Sequence, residues 1–106
     1  MLKKQNHYSQ AAVLLSNGCN AGSSDACNNL GVMYDEGKGV KQDYHRAVAF
    51  YVKACDAGNA TSCGTLGFMY SKGSGVQKNP ETARKLISKA CSMGSDFYCM
   101  YMKTMQ

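Results

Sequence analysis

Tryptophan is absent from this chain of 106 residues, proline occurs once, and aromatic residues make up only 9%. A single domain of this size buries only about two-thirds of its unfolded surface. Its apolar anchors must therefore come from leucine, valine, methionine and seven tyrosines, and the core is expected to be thin. No apolar run approaches the ~20 residues of a spanning helix, so membrane insertion is not expected. The stretch from Ala11 to Leu15 is too short for the core of a signal peptide. Ser16-Asn17-Gly18, ahead of Cys19, lacks the aliphatic residue of a lipoprotein cleavage site. Any export signal is expected outside this numbering.

Arginine is nearly as scarce, with only Arg46 and Arg84, and the lysines are spread from Lys3 to Lys103. Twelve basic residues against seven acidic ones give a net charge of +5. Nucleic-acid surfaces cluster their basic residues in an arginine-rich patch, so the pattern points to a solvated basic surface and not to a nucleic-acid partner.

Cysteine, by contrast, is abundant. Six in a short chain point to disulfides formed in an oxidising compartment. Their spacing exposes an internal repeat: Cys19, Cys55 and Cys91 are 36 residues apart, as are Cys27, Cys63 and Cys99. Cys27, Leu30, Gly31, Met33, Tyr34, Gly37, Gly39, Val40, Ala47, Lys53, Ala54, Cys55 and Gly58 all recur 36 positions later.

Punctuation within the repeat gives its secondary structure. Gly22, Gly58 and Gly94 each precede a capping residue, Ser23, Asn59 or Ser95, so one helix stops there and another starts. Gly37-Lys38-Gly39-Val40 and Gly73-Ser74-Gly75-Val76 form a second boundary, leading to caps at Asp43 and at Asn79 before Pro80. The pattern predicts an all-α chain of helical hairpins. Helices of class A fall at 24–36, 60–72 and 96–105, and helices of class B at 7–21, 44–57 and 80–93. The 106 residues form a single repeat domain: a B helix at 7–21, repeats at 24–57 and 60–93, and a terminal A helix at 96–105. Within helix A, Cys27, Leu30, Gly31 and Tyr34 have the spacing of a buried stripe. Gly31 and Gly67 each cost roughly 1 kcal/mol in a helix interior, so a neighbouring helix is expected to cross closely there. Helix B carries Ala11, Ala47 and Ala83 with Leu14, Phe50 and Leu86 three residues on, as an inner face.

Leu-Gly-x-Met-Tyr, the Gly-x-Gly-Val turn, the alanine-rich second helix and the Lys-Ala-Cys-x-x-Gly ending resemble the Sel-one-like repeat, a relative of the tetratricopeptide repeat. The 36-residue period with its paired cysteines is similar to the Helicobacter cysteine-rich protein family, from Tyr8 to Cys99. The resemblance implies an α/α solenoid, a right-handed superhelix of antiparallel helix pairs that is secreted or periplasmic and binds a partner on its concave face. It also implies, for some members, β-lactam binding or weak hydrolysis. Three departures stand out. The first helix is of class B, and Leu2-Lys3-Lys4-Gln5-Asn6 reads as the leftover turn of an absent unit, so the chain could be a fragment of a longer array. Lys103 replaces the glycine of Gly31 and Gly67. No export signal is visible.

Cys19 ends a B helix and Cys27 begins the next A helix, so a bond between them clips the two helices at their shared end. Cys55 with Cys63 and Cys91 with Cys99 repeat the device. One rival, Cys27 with Cys55 and Cys63 with Cys91, strands Cys19 and Cys99, whereas local pairing uses all six. A ring this small contributes on the order of 2.5 kcal/mol in the chain-entropy model. Without Cys-x-x-Cys, and with only His7 and His45 as further ligands, no metal site, redox centre or cofactor is expected.

A catalytic constellation is not visible. No serine is followed three places later by lysine, Lys103-Thr104-Met105 is not the companion element of β-lactamases, and both histidines stand near B-helix starts where exposure is expected. The glycine turns follow helices, not strands, and so read as connectors and not as phosphate loops. Met33 and Met69 recur and read as packing, while Met93, Met100, Met102 and Met105 form an apolar end cap or an adaptable contact surface.

A superhelix lines its inner surface with A helices, and A-helix positions that vary between units are those the architecture leaves free. These binding candidates are Asn28, Asn29, Val32, Asp35 and Glu36; Thr65, Phe68, Ser71 and Lys72; and Met100 with Tyr101. An extended peptide or protein segment can meet successive units at regular spacing. The expected function is thus a stapled scaffold, monomeric, binding a protein or peptide.

Overall fold

Among the described residues six helices follow in sequence: α1 (Leu2–Asn20), α2 (Ser24–Glu36), α3 (Tyr44–Asp56), α4 (Ala60–Lys72), α5 (Pro80–Ser92) and α6 (Asp96–Met105). The structure is a computed structural model that describes residues 2–105, with side chains described for 7–104. Each helix packs on its neighbours in sequence, most closely α2 with α3 and α4 with α5, and the stack extends over 46 × 24 × 20 Å. It is an all-α solenoid. Among the described residues no strand forms and no helix is long and apolar enough to cross a membrane.

The caps act where the repeat places them. Ser23, Asp43, Asn59 and Asn79 accept the backbone N–H of Ala26, Arg46, Ser62 and Thr82 through their side chains at 2.9–3.2 Å. The stop glycines Gly22, Gly58 and Gly94 have φ of 99, 103 and 104°, a region that a side chain would disfavour.

All three disulfides join residues eight apart: Cys19–Cys27, Cys55–Cys63 and Cys91–Cys99, with Cα–Cα distances of 4.6–4.7 Å. The local pairing holds and the rival does not form. Each bond ties the end of a class B helix to the start of the next A helix. The first two also sit in the core: Cys19 and Cys27 pack with Ala26 and Ala54, and Cys55 and Cys63 with Ile87, Ala90 and Tyr98.

Gly31 and Gly67 mark close approaches of the paired helix, by a side chain at Gly31 and by side chain and backbone at Gly67. A Cβ on Gly31 would lie 2.8 Å from the Tyr51 ring, and one on Gly67 would lie 2.7 Å from Ile87 Cγ1 and 3.1 Å from the Ala83 carbonyl oxygen. The turns are locked in a similar way, since a Cβ on Gly39 would meet the Tyr8 backbone at 2.5 Å.

Two expectations need correction. α1 is helical from Leu2, not from residue 7, so residues 2–6 do not form a turn. Leucine, lysine and glutamine are good helix formers and extend the helix backward from residue 7. Leu14 does not join an inner face but is 70% exposed. Its counterparts Phe50 and Leu86 pack against the unit before them, Phe50 on Cys19, Ala12 and Leu30 among others. Among the described residues, no earlier unit packs over α1 at Leu14.

Candidate functional site

The A helices α2 and α4 lie side by side through side-chain contacts. Ser62 Oγ donates to Asn28 Oδ1 at 2.6 Å, and Asn59 Nδ2 donates to Asp25 Oδ1 at 3.1 Å. Asn28 therefore acts first as a strut between units. Val32 likewise packs inward against the cluster of Ala47, Tyr51, Leu66 and Met69.

Farther along the same helices a groove of about 280 Å³ opens. It brings together Asp35 from α2 with Thr65, Phe68 and Lys72 from α4, and adds Tyr44, Met69 and Ser74. Phe68 is braced from behind by α6: its ring lies 4.8 Å from Tyr101, edge-on, and 5.5 Å from Tyr98. Tyr101 thus supports the groove without lining it. Asp35 is held from both ends. Its carboxylate accepts from the Tyr51 hydroxyl at 3.4 Å, and its backbone oxygen accepts from Gln42 Nε2 at 2.7 Å. Tyr51 is 1% exposed. Burial pushes its phenol well above the usual tyrosine value, and the neighbouring Asp35 charge adds to the shift, so it stays a proton donor.

The remaining candidates are not gathered there. Asn29 is exposed, Ser71 is half-buried, Glu36 is exposed and paired with Lys38 at 3.1 Å, and Met100 is 67% exposed on α6. Met93 and Met102 pack on the cluster around Ile87, so the methionine-rich end is partly cap and partly open surface; the Met105 side chain lies outside the described residues. His7 and His45 are exposed. Two further grooves, of about 400 and 460 Å³, lie on either side of Tyr34 and Val40 and use none of the candidates. Tyr34 itself is stacked on Phe50 at 5.6 Å.

Tyr44 and Tyr51 escaped the sequence reading, which weighed A-helix positions alone. A signal for Tyr51 did exist: its repeat position is otherwise held by Leu15 and Ile87, so a hydroxyl enters an aliphatic site and must find an acceptor.

The Sel1 repeat profile matches residues 24–59 and 64–95. The chain belongs to the Sel1 repeat family. Among solved structures, this Sel1 repeat chain is similar to cysteine-rich protein B of Helicobacter pylori, at 38% identity and a TM-score of 0.82 over 85% of this chain and 68% of that one. It is also similar to a Sel1 repeat protein from Oxalobacter formigenes, at 34% identity and a TM-score of 0.85 over 95% of this chain and 42% of that one. A third is a protective antigen of uropathogenic Escherichia coli strains, at 35% identity and a TM-score of 0.83 over 87% of this chain and 20% of that one. No curated protein sequence matches the chain. The chain thus spans two-thirds of the Helicobacter protein and less than half of the other two. A disulfide-bonded Sel1 scaffold is of the kind that mediates contacts between proteins.

Proposed function

We propose that this Sel1 repeat chain binds an extended peptide or protein segment along the face formed by α2, α4 and α6, and that it does so in the periplasm or outside the cell. The observation that carries the reading is the groove that unites Asp35, Thr65, Phe68 and Lys72 from two successive A helices. It offers a carboxylate, an ammonium, a hydroxyl and an aromatic wall to one ligand. Three disulfides, with no free cysteine, suit an oxidising compartment. The β-lactam reading rests on resemblance alone.

Peptide display against the immobilised oxidised chain, followed by chemical-shift mapping of a selected binder, tests the proposal. Shifts are expected at Asn29, Thr65, Phe68 and Met100. Replacing Asn29 and Met100, both exposed, by alanine is expected to weaken binding while the helical circular dichroism stays unchanged. Shifts confined to the outward residues of α1, α3 and α5 would place the site elsewhere.

A further inference from the structure

The groove between α2 and α4 holds a carboxylate that packing anchors but no ion pair among the described residues neutralises. Asp35 is half-buried, and the Tyr51 hydroxyl fixes one end of its carboxylate. Among the described residues no cation pairs with it: the ion pairs are Lys38 with Glu36, Arg46 with Asp43 and Lys85 with Glu81. The walls beside this carboxylate are Tyr44, Phe68 and Met69, two aromatic rings and a thioether. A carboxylate held in place at the side of an apolar, aromatic slot matches a side chain with a hydrocarbon stem and a cationic head. Arginine suits it better than lysine, because a guanidinium both forks onto a carboxylate and stacks on a ring.

Within the peptide-binding reading above, on which this inference rests, we propose that the groove is a subsite for an arginine side chain of the bound segment, its stem against Phe68 and Met69 and its guanidinium at Asp35. Lys72 shares the lining and repels a cation, but it is exposed and its ammonium can turn into water. It selects against a second basic residue next to the arginine and favours a neighbouring carboxylate.

The test is a chemical-shift titration of the oxidised chain with a blocked Gly-Arg-Gly tripeptide and with its citrulline analogue, which keeps the shape and loses the charge. The arginine peptide is expected to shift Thr65, Phe68 and Ser74 and to bind about tenfold more tightly than the citrulline peptide, as a charged hydrogen bond implies. Asp35→Asn keeps an acceptor for Tyr51 and is expected to remove that difference, while Lys72→Ala is expected to strengthen arginine binding. Equal binding of the two peptides, or an arginine preference that survives Asp35→Asn, would overturn the subsite. If a display-selected peptide without arginine then still maps to α2 and α4, the general peptide-binding reading stands although the subsite falls. If the arginine tripeptide alone binds, the subsite stands and the extended-ligand reading falls.

Discussion

Ser62 on α4 donates a 2.6 Å hydrogen bond to Asn28 on α2, and one repeat later the same pair of positions is filled by Tyr98 on α6 and Gly64 on α4. The junctions are solved differently. The first is polar and closed by Ser62, which is fully buried. In the second an aromatic ring fills the space that a Cβ on Gly64 would need.

The pairing predicts coupling between Gly64 and Tyr98. Gly64→Asn forces a side chain into the Tyr98 ring and should cost about 1–3 kcal/mol. Adding Tyr98→Ser, which copies the first junction, should recover part of that loss. Urea denaturation of the two single variants and the double variant measures the coupling; strictly additive losses would show that the junctions are independent.

Equivalent positions in α1 and α3 should respond differently. Phe50 is packed between Tyr34, Leu15 and Leu30, so Phe50→Ala should destabilise by about 2–4 kcal/mol. Leu14→Ala, at the same repeat position but 70% exposed, should stay within about 0.5 kcal/mol of the parent. Thermal or urea unfolding decides it, and a large loss at Leu14 would mean that its face is covered in solution.

Local disulfide pairing has a direct chemical signature. Trypsin leaves each pair inside one fragment, 5–38, 54–72 or 90–103. Non-reduced mass mapping should find each of these fragments two hydrogens lighter than its reduced form, with no cross-linked species. Replacing Cys91 and Cys99 together by serine should cost about 2–3 kcal/mol, read from the urea midpoint.

Tyr51 predicts an alkaline limb in stability. Its folded value is raised above the unfolded value of about 10. The folded state therefore keeps a proton that the unfolded chain releases, and this contribution is complete below pH ~10 and lost as pH rises above it. Tyr51→Phe should flatten that limb of the stability curve while leaving the acid side unchanged. A slope above pH 10 that persists in Tyr51→Phe would assign it to other groups.

Much of this protein was legible from its own period. Helix starts at Ser23, Asp43, Asn59 and Asn79, stops at Gly22, Gly58 and Gly94, and the pairing of cysteines eight apart are decided within a few residues of chain. For that reason spacing alone locates them. The stripe with Gly31 and Gly67 was visible as well, because a glycine kept in a helix interior at both repeats signals a close neighbour. What spacing could not say is which atoms come close.

Contacts between units were decided by tertiary structure. Asn28 was read as a free binding position and proves to be a strut, because its partner Ser62 stands one unit away and only stacking brings them together. Leu14 carries the same pattern as Phe50 and Leu86, yet exposure depends on what packs over a helix, and among the described residues nothing covers Leu14. The meeting of Asp35 with Tyr51, Phe68 and Lys72 joins three helices. Sequence by itself determined the repeating unit, its caps and its staples, since these rest on local backbone geometry. The groove and its charge arose only when units stacked, because they depend on side chains far apart in the chain meeting across a packed interface.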